Sequence, residues 1–153
     1  MTNIRSATPS DRATILSIGE DSGLFAPEEV GFFADDFDSW SPGGDDPRLW
    51  LLAEDGSAAA QVAPEPMSDA VWNLLFIATH PTARRKGRAR ALINRVEEAV
   101  RAEGGRLLLI DTASVDDQAP ARAAYVAAGY GREAVIRDYY GDGVDRVTFR
   151  KRL

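Results

Sequence analysis

Cysteine is absent from the 153 residues and histidine occurs once, at His80. Disulfides, thiolate metal sites, histidine-cluster metal sites and a cysteine nucleophile are thereby excluded, so no metal is expected. Lysine is scarce as well, Lys86 and Lys151 being the only ones among eighteen cationic side chains. No apolar run approaches the roughly 20 residues that a membrane-spanning helix needs. The start MTNIRSATPSDR has neither the apolar core nor the cleavage site of a secretory leader. The expectation is a cytoplasmic protein that engages no membrane. Any chemistry it performs must come from carboxylates, tyrosines, hydroxyls, arginines or backbone amides.

What is present is an ordinary globular composition, 44% hydrophobic and 27% charged, in a chain of single-domain length. One domain over residues 1–153 is expected. The net charge of -6 hides a reversal of sign along the chain. Residues 1–70 hold fourteen acidic against three basic side chains, whereas residues 71–153 hold ten against fifteen. An acidic front and a basic back suggest two kinds of ligand.

Turn and periodicity signals divide the chain into short elements. A strand is expected near Asn3 to Ala7, then a helix opened by Thr8-Pro9-Ser10-Asp11 and running to about Gly19. Ala26-Pro27-Glu28-Glu29 starts a second helix, with Val30, Phe33 and Phe37 at helical spacing. Arg48 to Glu54 and Ser57 to Val62 form a hairpin about Asp55-Gly56, and Pro64 and Pro66 close its second arm. Val71 to Thr79 (VWNLLFIAT) reads as a central strand covered on both sides. A long helix follows from about Gly87 to Glu103, then a buried strand from Arg106 to Asp111. Strand, helix, strand is a βαβ unit, whose two strands run parallel. A short helix from about Pro120 to Ala128 leads to a closing hairpin, Gly131 to Arg137 and Val144 to Arg150, with Tyr139-Tyr140-Gly141-Asp142-Gly143 as its turn. The fold class is α/β, a mixed sheet with helices on both faces.

The chemically suggestive segment lies between the central strand and the long helix: Arg84-Arg85-Lys86-Gly87-Arg88-Ala89. The first turn of a helix leaves about four N–H groups unpaired and carries roughly half a positive charge. Cations crowd this terminus and a glycine lets the backbone approach a ligand, which suits a pyrophosphate. A plain cationic helix start, a nucleic-acid patch and a partner-docking surface fit the same residues. The segment is neither a Walker A loop nor a dinucleotide G-x-G-x-x-G.

Arg84 to Ala89, following FIATHPTA, resembles the [RQ]-x-x-G-x-[GA] signature of the GNAT superfamily of acetyl-coenzyme A dependent N-acetyltransferases. Ala123-Ala124-Tyr125-Val126-Ala127-Ala128-Gly129-Tyr130 is similar to that family's tyrosine-bearing helix, and Ile136 to Asp145 to its last hairpin. The resemblance spans nearly the whole chain. It implies a mixed, mostly antiparallel sheet with one splayed parallel pair, and acetyl transfer from acetyl-CoA to a primary amine of a small molecule or peptide in a ternary complex. The same fold as a non-catalytic acetyl-CoA-binding regulatory module is the alternative. The net negative charge and the lack of interleaved aromatics argue against nucleic acid. A monomer or homodimer is expected.

Site roles follow from the resemblance. Ile77, Ala78 and Thr79 would bond the pantetheine arm through their backbone, and Arg84, Arg85, Lys86, Gly87, Arg88 and Ala89 would cradle the pyrophosphate. Gln118 stands near where many relatives use an asparagine toward the cofactor. Tyr125 matches the general acid, although packing of its helix explains it too. The base is open: the glutamate that many members carry on the central strand is missing. Asp111, on the next strand, serves as the first candidate and His80 as another. Asn73, Tyr139 and Tyr140 would line the acceptor cleft, and Asp35, Asp36, Asp38, Asp45 and Asp46 would form an acidic wall drawing in the amine.

Overall fold

The computed structural model describes residues 2–153, which form seven strands and four α-helices. The strands are β1 (Ile4–Ser6), β2 (Leu49–Ala53), β3 (Ala58–Pro64), β4 (Val71–Thr79), β5 (Leu107–Ala113), β6 (Gly131–Gly141) and β7 (Val144–Arg152). The helices are α1 (Arg12–Asp21), α2 (Val30–Asp38), α3 (Arg88–Ala102) and α4 (Ala119–Ala127). Strand order is β1-β2-β3-β4-β5-β7-β6. β4 and β5 are parallel, as a βαβ crossover demands, while β1–β2, β2–β3, β5–β7 and β6–β7 are antiparallel.

The chain forms two compact units, and β4 passes from one to the other. The first runs to Ala63 and takes up Phe76–Val96, and the second is Pro64–Leu75 with Glu97–Leu153. In the first unit Ile15 and Ile18 of α1 share a core with Phe33 and Phe37 of α2, Trp50 and Leu52 of β2, and Phe76 and Ala78 of β4. The rings interlock, Phe33 lying 4.8 Å from Phe76 and Phe37 meeting Trp50 edge-on at 5.2 Å. Gly19 permits this, since a Cβ there would run into the Phe33 ring. Arg5 grips Asp11 through two hydrogen bonds of 2.9 Å, and Asp11 also receives the Thr8 N–H.

In the second unit β5 alternates: Leu108, Ile110 and Thr112 are buried while Leu107, Leu109 and Asp111 are half-buried. Ile110 is registered with Phe149 of β7 and Asp111 with Thr148, so these two pairs lie on opposite faces. Glu97 is 4% exposed. Its carboxylate accepts the Tyr130 hydroxyl at 2.8 Å and Lys151 Nζ at 2.9 and 3.1 Å. A carboxylate so buried persists only when paired in this way. Burial and the neighbouring Glu97 carboxylate raise the Tyr130 phenol far above its ordinary value.

Two expectations need correction. The hairpin turn is Asp142-Gly143, and Tyr139 and Tyr140 belong to β6. Asp138 accepts the Gly143 N–H and donates its own N–H to Asp145, which moves the reversal toward the C-terminus. Asp111 is two residues short of the end of β5, which continues through Thr112 and Ala113.

Candidate active site

The basic turn lies in the first unit. After β4, His80 donates its N–H to Ser57 O at 2.7 Å, and a short 3-10 turn (Pro81–Ala83) carries the chain into the cationic segment. Arg85 has φ +64° and Gly87 φ +75°, so two residues of the turn are left-handed. For arginine that conformation is uncommon and sits where the backbone is shaped for a purpose. α3 begins at Arg88, and its first turn closes with the Ala91 N–H on Gly87 O at 3.1 Å. The peptides of Gly87, Arg88 and Ala89 precede that bond. Nothing lies within 4 Å of where a Gly87 Cβ would stand. A cavity of about 210 Å³ opens beside the turn, lined by Lys86, Gly87, Arg88, Ala91, Thr2, Ile4 and Ala53.

The cations divide by role. Arg85 and Lys86 are exposed and have no ion-pair partner among the described residues. Arg84 donates to Ser22 O at 2.9 Å. Arg88 reaches back to the β2–β3 turn, its Nε bonding Ser57 Oγ and its Nη2 bonding Asp55 Oδ2, both at 2.9 Å. Ser57 and Arg88 hold the Asp55 carboxyl well below the usual carboxylate range. Arg88 is therefore a strut under the turn as well as a charge beside it. His80 is engaged at both ring nitrogens, by Thr82 Oγ1 at 2.8 Å and Asp21 Oδ2 at 3.1 Å. On β4, Ala78 is buried in the core while Ile77 and Thr79 are half-buried.

The remaining candidates lie in the second unit. Tyr125, 6% exposed, meets Phe149 edge-on at 5.6 Å and Tyr130 at 6.5 Å. Burial pushes its phenol up to about 12. Its hydroxyl has no hydrogen-bond partner among the described residues. Arg122, one turn earlier, donates Nη1 to Ala113 O at 2.6 Å and Val115 O at 2.9 Å, tying α4 to the end of β5. Gln118 is the N-cap of α4 and makes no side-chain cap bond.

Asp111 is the centre of a polar network on the other face of β5. Its Oδ1 accepts Thr148 Oγ1 at 2.6 Å, its Oδ2 accepts Asn73 Nδ2 at 3.3 Å, and Arg146 Nε stands 3.7 Å away. Asn73 also donates to Glu65 Oε1 at 2.8 Å, and its own Oδ1 is buried without a partner. Arg146 lies 4.6 Å over the Tyr139 ring, which meets Tyr140 edge-on at 4.9 Å. Burial, then the Asp111 carboxylate, raises the Tyr140 phenol. The structure thus gathers Asn73, Asp111, Tyr139 and Tyr140. Sequence reasoning missed Glu65, Arg146 and Arg122, whose partners are distant in the chain or are bare carbonyls.

The acidic wall is largely self-neutralised. Asp38 pairs with Arg12 at 2.6 Å, and Arg48 bridges Asp36 at 3.0 Å and Asp46 at 2.7 Å. Arg48 holds the Asp46 carboxyl down at about 2.

The Acetyltransferase (GNAT) family model matches residues 17–130. The chain belongs to the GNAT family of acetyltransferases. It is a GNAT-family N-acetyltransferase, and acetyl-CoA is the donor that family uses. A GNAT-family structure from Desulfovibrio desulfuricans is similar at 29% identity and TM-score 0.91, over 99% of each chain. The ribosomal-protein-S18-alanine N-acetyltransferase of Escherichia coli shares the fold at 21% identity and TM-score 0.76, over 99% of this chain and 94% of that one. A Salmonella typhimurium structure with its cofactor acetyl-CoA shares it at 17% identity and TM-score 0.79, over 100% of this chain and 94% of the other. No curated protein matches the chain. The turn suits the cofactor of this GNAT chain: an open Gly87 at a helix start, a second left-handed residue and two unpaired exposed cations are what a diphosphate needs.

Proposed function

We propose that this single-domain enzyme acetylates a primary amine of a small molecule or peptide by direct attack in a ternary complex. The observation that carries the reading is the turn entering α3, where Gly87 is open at a left-handed φ and Arg85 and Lys86 are exposed without ion-pair partners among the described residues. When bound, acetyl-CoA supplies an acetyl thioester, whose carbonyl carbon the amine nitrogen takes as the carbon–sulfur bond breaks. Arg85, Lys86 and the Gly87–Ala89 peptides hold the diphosphate, with Arg84 and Arg88 bracing the turn. The backbone of Ile77, Ala78 and Thr79 aligns the extended arm as an added strand would, and an N–H near Ile77 polarises the carbonyl oxygen. Gln118 serves the cofactor from the start of α4.

Asp111 Oδ2 takes the proton that the amine must lose, directly or through water. Tyr125, held at about 12, keeps its proton at neutral pH and hands it to the departing sulfur. Asn73, Tyr139 and Tyr140 position the acceptor. The test is thiol release from acetyl-CoA against peptide α-amines, polyamines and amino metabolites, with Tyr125→Phe as control. Turnover on at least one amine, reduced in the variant, is expected. Saturable cofactor binding with no turnover on any amine would overturn the amine assignment in favour of a regulatory module.

A further inference from the structure

Glu97 of α3, Tyr130 and Lys151 of β7 form a buried polar cluster to which the proposed function gives no task. Tyr130 is 3% exposed and Glu97 4%. The Lys151 ammonium has three N–H donors, and they meet three acceptors: Glu97 Oε1 at 2.9 Å, Glu97 Oε2 at 3.1 Å and Ala128 O at 2.9 Å. The Tyr130 hydroxyl closes the cluster by donating to Glu97 Oε2. Arg101 Nη2 adds a more distant charge, 3.7 Å from Glu97 Oε1. Exchanging a buried ion pair for apolar side chains of like size is often neutral or stabilising. A contribution to stability therefore does not account for this pair, whereas its bonds fix one place in the chain.

That place is the end of α4. Ala128 is the C-cap of the helix, and Gly129 follows at φ +93°. The Gly129 N–H bonds Val126 O at 3.0 Å and the Tyr130 N–H bonds Tyr125 O at 3.0 Å, the two bonds of a Schellman motif. Lys151 passes over Gly129, its Cε 3.6 Å from where a Cβ would stand, and its Nζ takes the Ala128 carbonyl, which lies beyond the helical bonding. Tyr130 thus holds Tyr125 twice, through its carbonyl and by an edge contact between the rings. Phe149, two residues before Lys151 on β7 and so on the same face, meets the Tyr125 ring as well. Among the described residues nothing bonds the Tyr125 hydroxyl itself, so backbone and ring contacts set where it stands.

We propose that Glu97 and Lys151 are positioning residues: by fixing Tyr130 and the C-terminus of α4 they hold the Tyr125 hydroxyl where it meets the departing sulfur, a role that rests on the proton donation proposed for Tyr125. A misplacement of about 1 Å at a reacting group can cost about a hundredfold in rate. Loss of the pair then acts on kcat and spares cofactor affinity, because the groups given to the diphosphate belong to the turn entering α3.

The test is a double-mutant cycle read by thiol release from acetyl-CoA, with the peptide, polyamine or amino metabolite that the wild type turns over fastest as acceptor. The paired variant Glu97→Met, Lys151→Met removes both charges together and leaves neither buried alone; a thermal melt checks that it folds. Its kcat should fall about tenfold or more, with KM for acetyl-CoA within about twofold of wild type. In a Tyr125→Phe background the same paired change should cost less than about twofold, because the hydroxyl it serves is gone. Should the paired variant fail to fold, Tyr130→Phe, which deletes one hydroxyl and keeps the ring, takes its place in the same cycle. An unchanged kcat, a loss confined to KM, or equal losses with and without the Tyr125 hydroxyl would overturn the positioning role and leave Tyr125 as the acid. A Tyr125→Phe enzyme as fast as wild type, or no turnover on any amine, would overturn that role and the proton donation beneath it together.

Discussion

Tyr125 and Asp111 are the two side chains to which the proposed function gives the proton transfers, and their surroundings differ enough to give separable predictions. The Tyr125 hydroxyl has no protein partner among the described residues, so Tyr125→Phe should leave stability within about 1 kcal/mol of wild type. If that hydroxyl delivers the proton, kcat should fall about a hundredfold or more. Unchanged turnover by steady-state assay would reduce Tyr125 to packing between Tyr130 and Phe149. Asp111→Asn should lower kcat by a factor that grows from alkaline to neutral pH, because the acceptor is then increasingly protonated and a base is most needed. A ratio that is flat across that pH range would remove Asp111 from the mechanism. The network around Asp111 was invisible in the sequence for a simple reason: Asn73 and Thr148 lie 38 and 37 positions away from it. Only the parallel β4–β5 and antiparallel β5–β7 registers bring them together.

At the level of elements, the apolar run from Val71 to Thr79 was legible to the residue, but its cover on both sides was not borne out: Trp72, Leu74, Phe76 and Ala78 are buried, while Leu75 in their midst is exposed. The last hairpin was not. Its turn is displaced by side-chain bonds of Asp138 and Asp145 that no periodicity reports. The turn entering α3 was recognisable from its cations and glycine. That Arg88 would brace it from below was not, since Asp55 is 33 positions distant. Gly87→Glu should abolish coenzyme A binding in a calorimetric titration. The fold should survive with a loss of about 1–2 kcal/mol for a side chain at positive φ; undiminished affinity would remove the turn from the site. Arg122→Ala should release α4 from the end of β5. The expected cost is about 2 kcal/mol for bonds made by a charged donor, read as a lower midpoint in urea. Activity should fall with it if α4 holds Tyr125 in place.

Across the whole molecule, paired carboxylates and buried phenols set the pH range of stability. Asp11 and Asp46 are held at about 2 by hydrogen bonds from Arg5 and Arg48. Folded-state values below the ordinary carboxylate value of about 4 mean that this contribution is complete above that value and lost as pH falls toward 2. Tyr125 and Tyr130 have the opposite sign: their raised values stabilise the fold below about 10, and that share disappears at higher pH. Thermal melting should therefore be flat through neutrality and decline at both extremes, and Asp46→Asn should make the acid limb shallower. An acid limb of the same steepness in that variant would show that Arg48 anchors α2 by packing alone.

Arg88 leaning on Asp55 has an evolutionary reading. Residue 55 belongs to a hairpin to which the proposed function gives no chemistry, yet a substitution there would slacken the turn proposed to grip the diphosphate. In a saturation library selected for acetylation, substitutions at 55 and 88 should show strong epistasis. A hairpin tip would then register as though it were part of the catalytic apparatus.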